Sequence, residues 1–197
     1  MRKIFLITLL TGMFVVPVSA AELSYTYECL TQDVIELSSL ENTEVFSLGQ
    51  SGYGREIYAV KLVKGELSAV IVGTSYAREW INSALIGDMI KHYVNAYNNY
   101  DYVGNYYVRD MLDKCSIVFI PMQNPDGVVL QQQGLGAFTP EQQAEIQSIG
   151  DSHKYKQWKA NAKGVDLNRQ QSINWDKVRM NEPHPSYHNH KGYCPEQ

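Results

Sequence analysis

Four short stretches of this 197-residue chain gather the side chains best suited to chemistry: Tyr76-Ala-Arg78-Glu79-Trp80-Ile81, Asn124-Pro-Asp-Gly127, Trp158-Lys159-Ala-Asn161 and Gly164-Val-Asp-Leu-Asn168-Arg169. Taken singly, each has an ordinary explanation. Glu79 is a carboxylate at the start of a helical stretch, where the helix dipole favours negative charge. Asn124-Pro-Asp-Gly127 reads as a turn, because proline extends the residue before it and Asp-Gly reverses the chain. Arg169 carries a planar fork that fits a carboxylate and stays charged at any working pH, and it is equally at home in a surface ion pair. His184, His188 and His190 fall in a proline-rich stretch and read as solvated loop histidines. Cys29, Cys115 and Cys194 have no zinc-knuckle spacing, and they allow one disulfide with a free thiol or no bridge.

In this order and at these separations the four stretches resemble the zinc carboxypeptidase family, the carboxypeptidase A-like metallopeptidases, from about Tyr25 to Gln197. The combination is far more specific than any one motif. The resemblance implies an α/β fold, a mixed β-sheet flanked by helices on both faces, here lacking the C-terminal part of the domain and therefore leaving apolar sheet surface uncovered. It implies a zinc ion held by two His and one Glu, with an open position for water. Glu79 matches the Glu ligand, and Tyr76 stands at the position of the expected His. A phenol with a pKa near ~10 is mostly protonated at neutral pH and is a poor replacement for imidazole. Arg78 matches a substrate-contacting Arg, Asn168 and Arg169 match the pair that docks the substrate's terminal carboxylate, and Lys159 falls where a cation stabilises the oxyanion.

The wording of Trp158-Lys-Ala-Asn161 and Gly164-Val-Asp-Leu-Asn168, with Val128-Val-Leu-Gln-Gln132, is nearest the bacterial branch that trims peptidoglycan stem peptides, the γ-D-glutamyl-diamino acid peptidases. Gln170-Gln171 departs from the Asn and aromatic residue usual after the Asn-Arg pair. No residue from 170 to 197 matches the second zinc His or the general-base Glu, and the closing stretch from Pro185 to Glu196 looks like the segment that precedes that His. By lineage the chain is an exported zinc metallocarboxypeptidase acting on C-terminal peptide bonds or peptidoglycan stem peptides, with neither zinc retention nor activity expected here. The alternatives are a secreted peptide- or peptidoglycan-binding pseudoenzyme and a nonfunctional truncated product.

The elements that must position these residues alternate between strand and helix. Thr31 to Leu40 reads as a helix leading into a strand near Glu44 to Leu48. Gln50-Ser-Gly-Tyr-Gly54 supplies turn chemistry before the strand Glu56 to Val63, giving a β-hairpin. Leu67 to Gly73 is a continuous apolar run, expected as a central strand covered on both faces. Glu79 to Tyr97 has the length of a helix, with Leu85, Met89 and Tyr93 at four-residue spacing for packing on the sheet. A short helix around Tyr107 to Leu112 and a buried strand Ser116 to Pro121 follow, and the order strand, helix, strand predicts parallel pairing. Thr139 and Pro140 open a helix that runs to Ile149. Gly164 to Asn168 is expected as a short strand, and residues from Ser172 onward as a loop.

Residues 1–20 read as a secretory signal, with Arg2 and Lys3, an apolar run from Ile4 to Val16 and the small-residue site Val18-Ser19-Ala20. That predicts a secreted or cell-envelope protein with one domain over residues 21–197 and no membrane span once the signal is removed. The formal net charge is −4, and Arg2 and Lys3 are two of the 17 basic residues set against 21 acidic ones. A negative balance argues against nucleic acid as a partner, since phosphate binding needs clustered positive charge.

Overall fold

The computed structural model describes residues 24–63, 65–149, 152–170 and Lys177. The expected signal segment, His184, His188, His190 and Cys194 lie outside them. Helix α1 (Tyr27–Ser38) starts earlier than its apolar residues suggest, because Thr26 caps it by accepting from the Cys29 N–H at 3.2 Å. It buries Leu30, Val34 and Leu37. Strands β1 (Thr43–Gln50) and β2 (Glu56–Leu62) form the expected antiparallel hairpin, and Gly54 in its turn takes a φ of 86° that a side chain would oppose.

Strand β3 (Leu67–Val72), helix α2 (Ile81–Asn98) and strand β6 (Cys115–Ile120) make the expected unit, with β3 and β6 parallel in register from Leu67↔Cys115 to Val72↔Ile120. Between them lie a small hairpin, β4 (Tyr102–Val103) and β5 (Tyr106–Tyr107), and the short helix α3 (Val108–Leu112). The main sheet is mixed and ordered β1-β2-β6-β3, since β2 pairs antiparallel with β6. Helices α1 and α2 cover one face of it, where Leu37, Ile86, Ile90 and Val94 meet Val60, Leu62 and Phe119.

Two expectations are corrected here. Among the described residues β3 is an edge strand, not a central one: it pairs only with β6, and Val70 and Val72, alternating onto the face opposite Ile71, are 60% and 46% exposed. The apolar run marks a strand suited to cover on both faces, and cover is present on one. In α2 the buried face is Ser83, Ile86, Ile90, Val94 and Tyr97, and Leu85 points outward at 57% exposure. Met89 and Tyr93 pack against the edge of that face as expected, so only Leu85 of the three departs from it.

Asn124-Pro-Asp-Gly127 is likewise not a reversing turn. Pro125 opens α4 (Pro125–Gln133), with the Asn124 side chain as its cap. A second cluster gathers Val129 and Leu130 of α4, Ile146 of α5 (Pro140–Ile149), Phe138, Trp158, Ala160 and Ala162. Helix α5 has its predicted bounds. Thr139 and Gln142 cap each other reciprocally, the Gln142 N–H donating to Thr139 Oγ1 and the Thr139 N–H to Gln142 Oε1.

Candidate functional site

The candidate residues converge where β3 and β6 end side by side. The Gly73 N–H donates to the Ile120 carbonyl and the Gln123 N–H to the Gly73 carbonyl, so the two strand exits are laced together. Thr74 follows in the left-handed region at φ 50°, a strained conformation for a β-branched residue. Its hydroxyl meets Ser83 Oγ at 2.6 Å and donates to the Glu79 carbonyl at 3.2 Å, and Ser83 Oγ donates to the Pro121 carbonyl. These bonds fold the chain into the 3-10 turn Ala77–Glu79, which brings Tyr76 inward and leaves Arg78 exposed.

Asn124 ties this turn to a third segment. Its carboxamide N–H groups reach the Ser75 carbonyl at 3.1 Å, the Ala160 carbonyl at 3.1 Å and the Lys159 carbonyl at 3.4 Å, while its Oδ1 accepts from the Gly127 N–H at 3.0 Å. Gly127 permits that approach: a Cβ there would stand 2.5 Å from Asn124 Oδ1 and 2.7 Å from the Ala160 carbonyl oxygen. The Ala77 N–H donates to the Lys159 carbonyl at 2.9 Å, closing the same junction. Beneath it the buried Asp126 pairs with Arg55 at 2.7 Å and accepts from the Tyr53 N–H.

Lys159 is therefore held against Tyr76. The lysine is 2% exposed, its Nζ has no hydrogen bond, and the ammonium lies 5.2 Å from the centroid of the Tyr76 ring, itself 8% exposed. Burial lowers the lysine's pKa, the charge of Arg78 lowers it further, and Glu79 and Asp166 act in the opposite sense; Arg169 also lowers it. So Arg78, Glu79, Asp166 and Arg169 all lie within electrostatic reach of one buried cation.

The last segment is shaped by two side-chain caps. Asn161 Oδ1 accepts from the N–H groups of Lys163 and Val165, turning the chain through Gly164 at φ 78°. Asp166 then accepts from the Asn168 N–H and caps a 3-10 turn, Leu167–Arg169. The expected strand from Gly164 to Asn168 is thus a pair of turns, because the Asn161 and Asp166 side chains take the backbone N–H groups a ladder would need. The Asn168 carboxamide donates to Tyr76 Oη at 3.2 Å, and Arg169 Nη1 donates to the Asn168 carbonyl at 2.8 Å.

Of the side chains expected at the site, Lys159 and Asn168 contact Tyr76, and Arg78, Glu79 and Arg169 lie within electrostatic reach of Lys159. They are positioned by Asn124, expected only as part of a turn, and by Asp166, to which the motif resemblance assigns no role. The local signals for both were present: an Asn followed by Pro at the first helical position, and an Asp two residues before the N–H it caps.

Zinc does not fit the described residues. No three His, Cys, Asp or Glu side chains among them are grouped to hold a metal. Glu79 is in place, but the ring at the expected His position lies under an ammonium group, and its hydroxyl accepts the Asn168 amide. The described cysteines, Cys29 and Cys115, are free thiols.

The family model for zinc carboxypeptidases matches residues 32–197. The gamma-D-glutamyl-L-diamino acid endopeptidase 1 of Lysinibacillus sphaericus is 26% identical over 164 residues, which cover 81% of this chain and 41% of that protein. The inactive metallocarboxypeptidase ECM14 of Paracoccidioides lutzii is 25% identical over 142 residues, covering 68% of this chain and 21% of that protein. The crystal structure of thrombin activatable fibrinolysis inhibitor shares the fold, with a TM-score of 0.59 at 17% identity, over 86% of this chain and 39% of that one. The chain spans less than half the length of these relatives. With the family matched across most of its length and the motifs assembled around one junction, the chain belongs to the zinc carboxypeptidase family.

Proposed function

We propose that this chain is an exported member of the family that receives peptides through a free carboxylate, peptidoglycan stem peptides among them, and does not hydrolyse them. The observation that carries this reading is the convergence of three cationic side chains, Arg78, Lys159 and Arg169, with the Asn168 amide around Tyr76, where no three-ligand metal set exists among the described residues. Such a site offers a carboxylate charge-assisted hydrogen bonds. The stem-peptide class is supported by the name of the Lysinibacillus relative, and the loss of hydrolysis by that of the Paracoccidioides relative. Export is supported by the composition of residues 1–20.

The test compares a short N-acetylated peptide with its C-terminal amide by calorimetry. One charge-assisted bond is worth about 1.5–3 kcal/mol, so the acid should bind at least about tenfold more tightly. Arg169→Lys, which keeps the charge and removes the fork, should weaken the acid and leave the amide unchanged. Equal affinity for acid and amide would refute the reading.

A further inference from the structure

We infer that a cleft between the end of α4 and the residues leading into α1 is a saccharide site, built for a neutral N-acetylated pyranose ring. Its volume is about 370 Å³, and its lining includes Trp80, Gln131, Gln132, Gln133, Lys156 and Ser24. Tyr76, Lys159, Asn168 and Arg169 are not part of that lining, so the site stands apart from the carboxylate reading above. The volume falls at the lower end of the range for small-molecule sites, about 300–1,000 Å³, and suits a sugar ring with its substituents better than a length of chain.

Three consecutive glutamines shape the cleft. Successive helical residues point about 100° apart, so Gln131, Gln132 and Gln133 fan out over the last turn of α4 before Gly134 ends it at φ 71°. Each is fastened through its amide nitrogen to a different segment: Gln131 Nε2 donates to the Lys156 carbonyl at 3.2 Å, Gln132 Nε2 to the Tyr25 carbonyl at 3.1 Å, and Gln133 Nε2 to Glu28 Oε2 at 3.3 Å. These partners are acceptors only, which settles the orientation of every carboxamide, nitrogen toward the contact and oxygen away from it. The oxygens of Gln131 and Gln132 are buried and accept from no described residue, although both side chains line the cleft. A buried acceptor without a donor is a standing cost that a donor entering the cleft removes. Trp80, half-buried against the cluster of Leu30, Val34, Met122 and Val128, adds a broad apolar surface, and Lys156 is the one charged residue in the lining. A pyranose ring matches this set: its C–H face lies on an indole, and its rim of hydroxyls donates to carboxamide oxygens. An acetamido substituent adds an N–H for a carboxamide and a carbonyl for the Lys156 ammonium. A phosphate-bearing ligand calls for clustered cations, and a purely apolar one leaves the carboxamides without partners.

The experiment titrates the full chain by calorimetry with chitotriose, with cellotriose, which has hydroxyls in place of the acetamido groups, and with the N-acetylated acid peptide of the preceding section. Chitotriose should bind at least about fivefold more tightly than cellotriose, the share of one hydrogen bond. Lys156→Ala should remove that preference by weakening chitotriose alone, and Gln133→Ala should weaken both sugars about fivefold; both are surface residues whose truncation leaves the core untouched. Trp80→Phe, which keeps a smaller ring, should also weaken both. Chitotriose should bind equally well with the acid peptide present. Absence of sugar binding, or equal affinity for the two sugars, would overturn the inference and leave the carboxylate reading intact. Chitotriose affinity unchanged in both Lys156→Ala and Gln133→Ala would overturn it by placing the sugar elsewhere, and displacement of chitotriose by the acid peptide would overturn it by giving the cleft to a peptide. Failure of the acid peptide to bind would count against the carboxylate reading alone.

Discussion

Replacing Lys159 with Met should make this protein more stable. The lysine buries an ammonium with no hydrogen bond, and an unsatisfied buried polar group costs about 1–3 kcal/mol, more when charged. The ring of Tyr76 returns about 0.5–2 kcal/mol through the cation–π contact. Several kcal/mol of desolvation for a buried ion outweigh that return. Methionine has a similar length, fills the same space and needs no partner, so Lys159→Met should gain about 1–3 kcal/mol. For a domain of this size each kcal/mol moves Tm by about 2–4 °C.

The same reasoning fixes a pH dependence. The folded pKa of Lys159 is lowered from the ordinary 10.5, chiefly by burial. Between the folded value and 10.5 the unfolded chain binds more protons, so wild-type stability should rise as pH climbs through that window, and below it the full cost should be present. The advantage of Lys159→Met should therefore be largest at neutral pH and shrink toward pH 10.5. Urea unfolding followed by Trp fluorescence, with the buried Trp158 next to the change, measures both effects. A Lys159→Met protein less stable than wild type at pH 7, or an advantage that stays constant up to pH 10.5, would refute the account of a strained buried cation.

Asn124→Ala removes one cap bond and up to three carbonyl contacts, and at about 1 kcal/mol each it should cost roughly 3 kcal/mol in urea unfolding, with weaker binding of the acid peptide because Tyr76 and Lys159 lose their common anchor. Tyr76→His should confer no turnover of C-terminal amino acids or γ-D-glutamyl-diamino acid bonds, since one restored imidazole beside Glu79 still falls short of three ligands among the described residues; hydrolysis that o-phenanthroline abolishes would contradict this.

What could be read from the sequence follows the range of the forces involved. The β1–β2 hairpin and α5 were legible because turn and cap chemistry lie within a few residues, as in the reciprocal bonds of Thr139 and Gln142. Helix α4 was missed because Asn-Pro and Asp-Gly are turn signals and its sequence shows no apolar stripe. Val128, Val129 and Leu130 are buried in succession by tertiary packing on different sides. The convergence of Arg78, Lys159 and Arg169 was implied by motif order, whereas the burial of Lys159 was not. Nothing in Trp158-Lys-Ala-Asn161 marks its lysine as interior; that follows from Asn124 drawing the backbone of Lys159 and Ala160 under the β3 exit. The open face of β3 at Val70 and Val72 and the strand's edge position among the described residues depend on which elements pack and pair with it and not on its own residues.

The single carboxamide of Asn124 also bears on how fast a ligand can be captured. Because it fastens the loops that follow β3 and β6 and the chain on either side of Ala160, the backbone around Tyr76 and Lys159 is set at folding. Ordering one backbone residue costs about 1–2 kcal/mol, and here that ordering precedes the ligand's arrival. On the carboxylate reading proposed above, association with the exposed Arg78 would need no ordering of these segments, and its rate would fall as ionic strength rises.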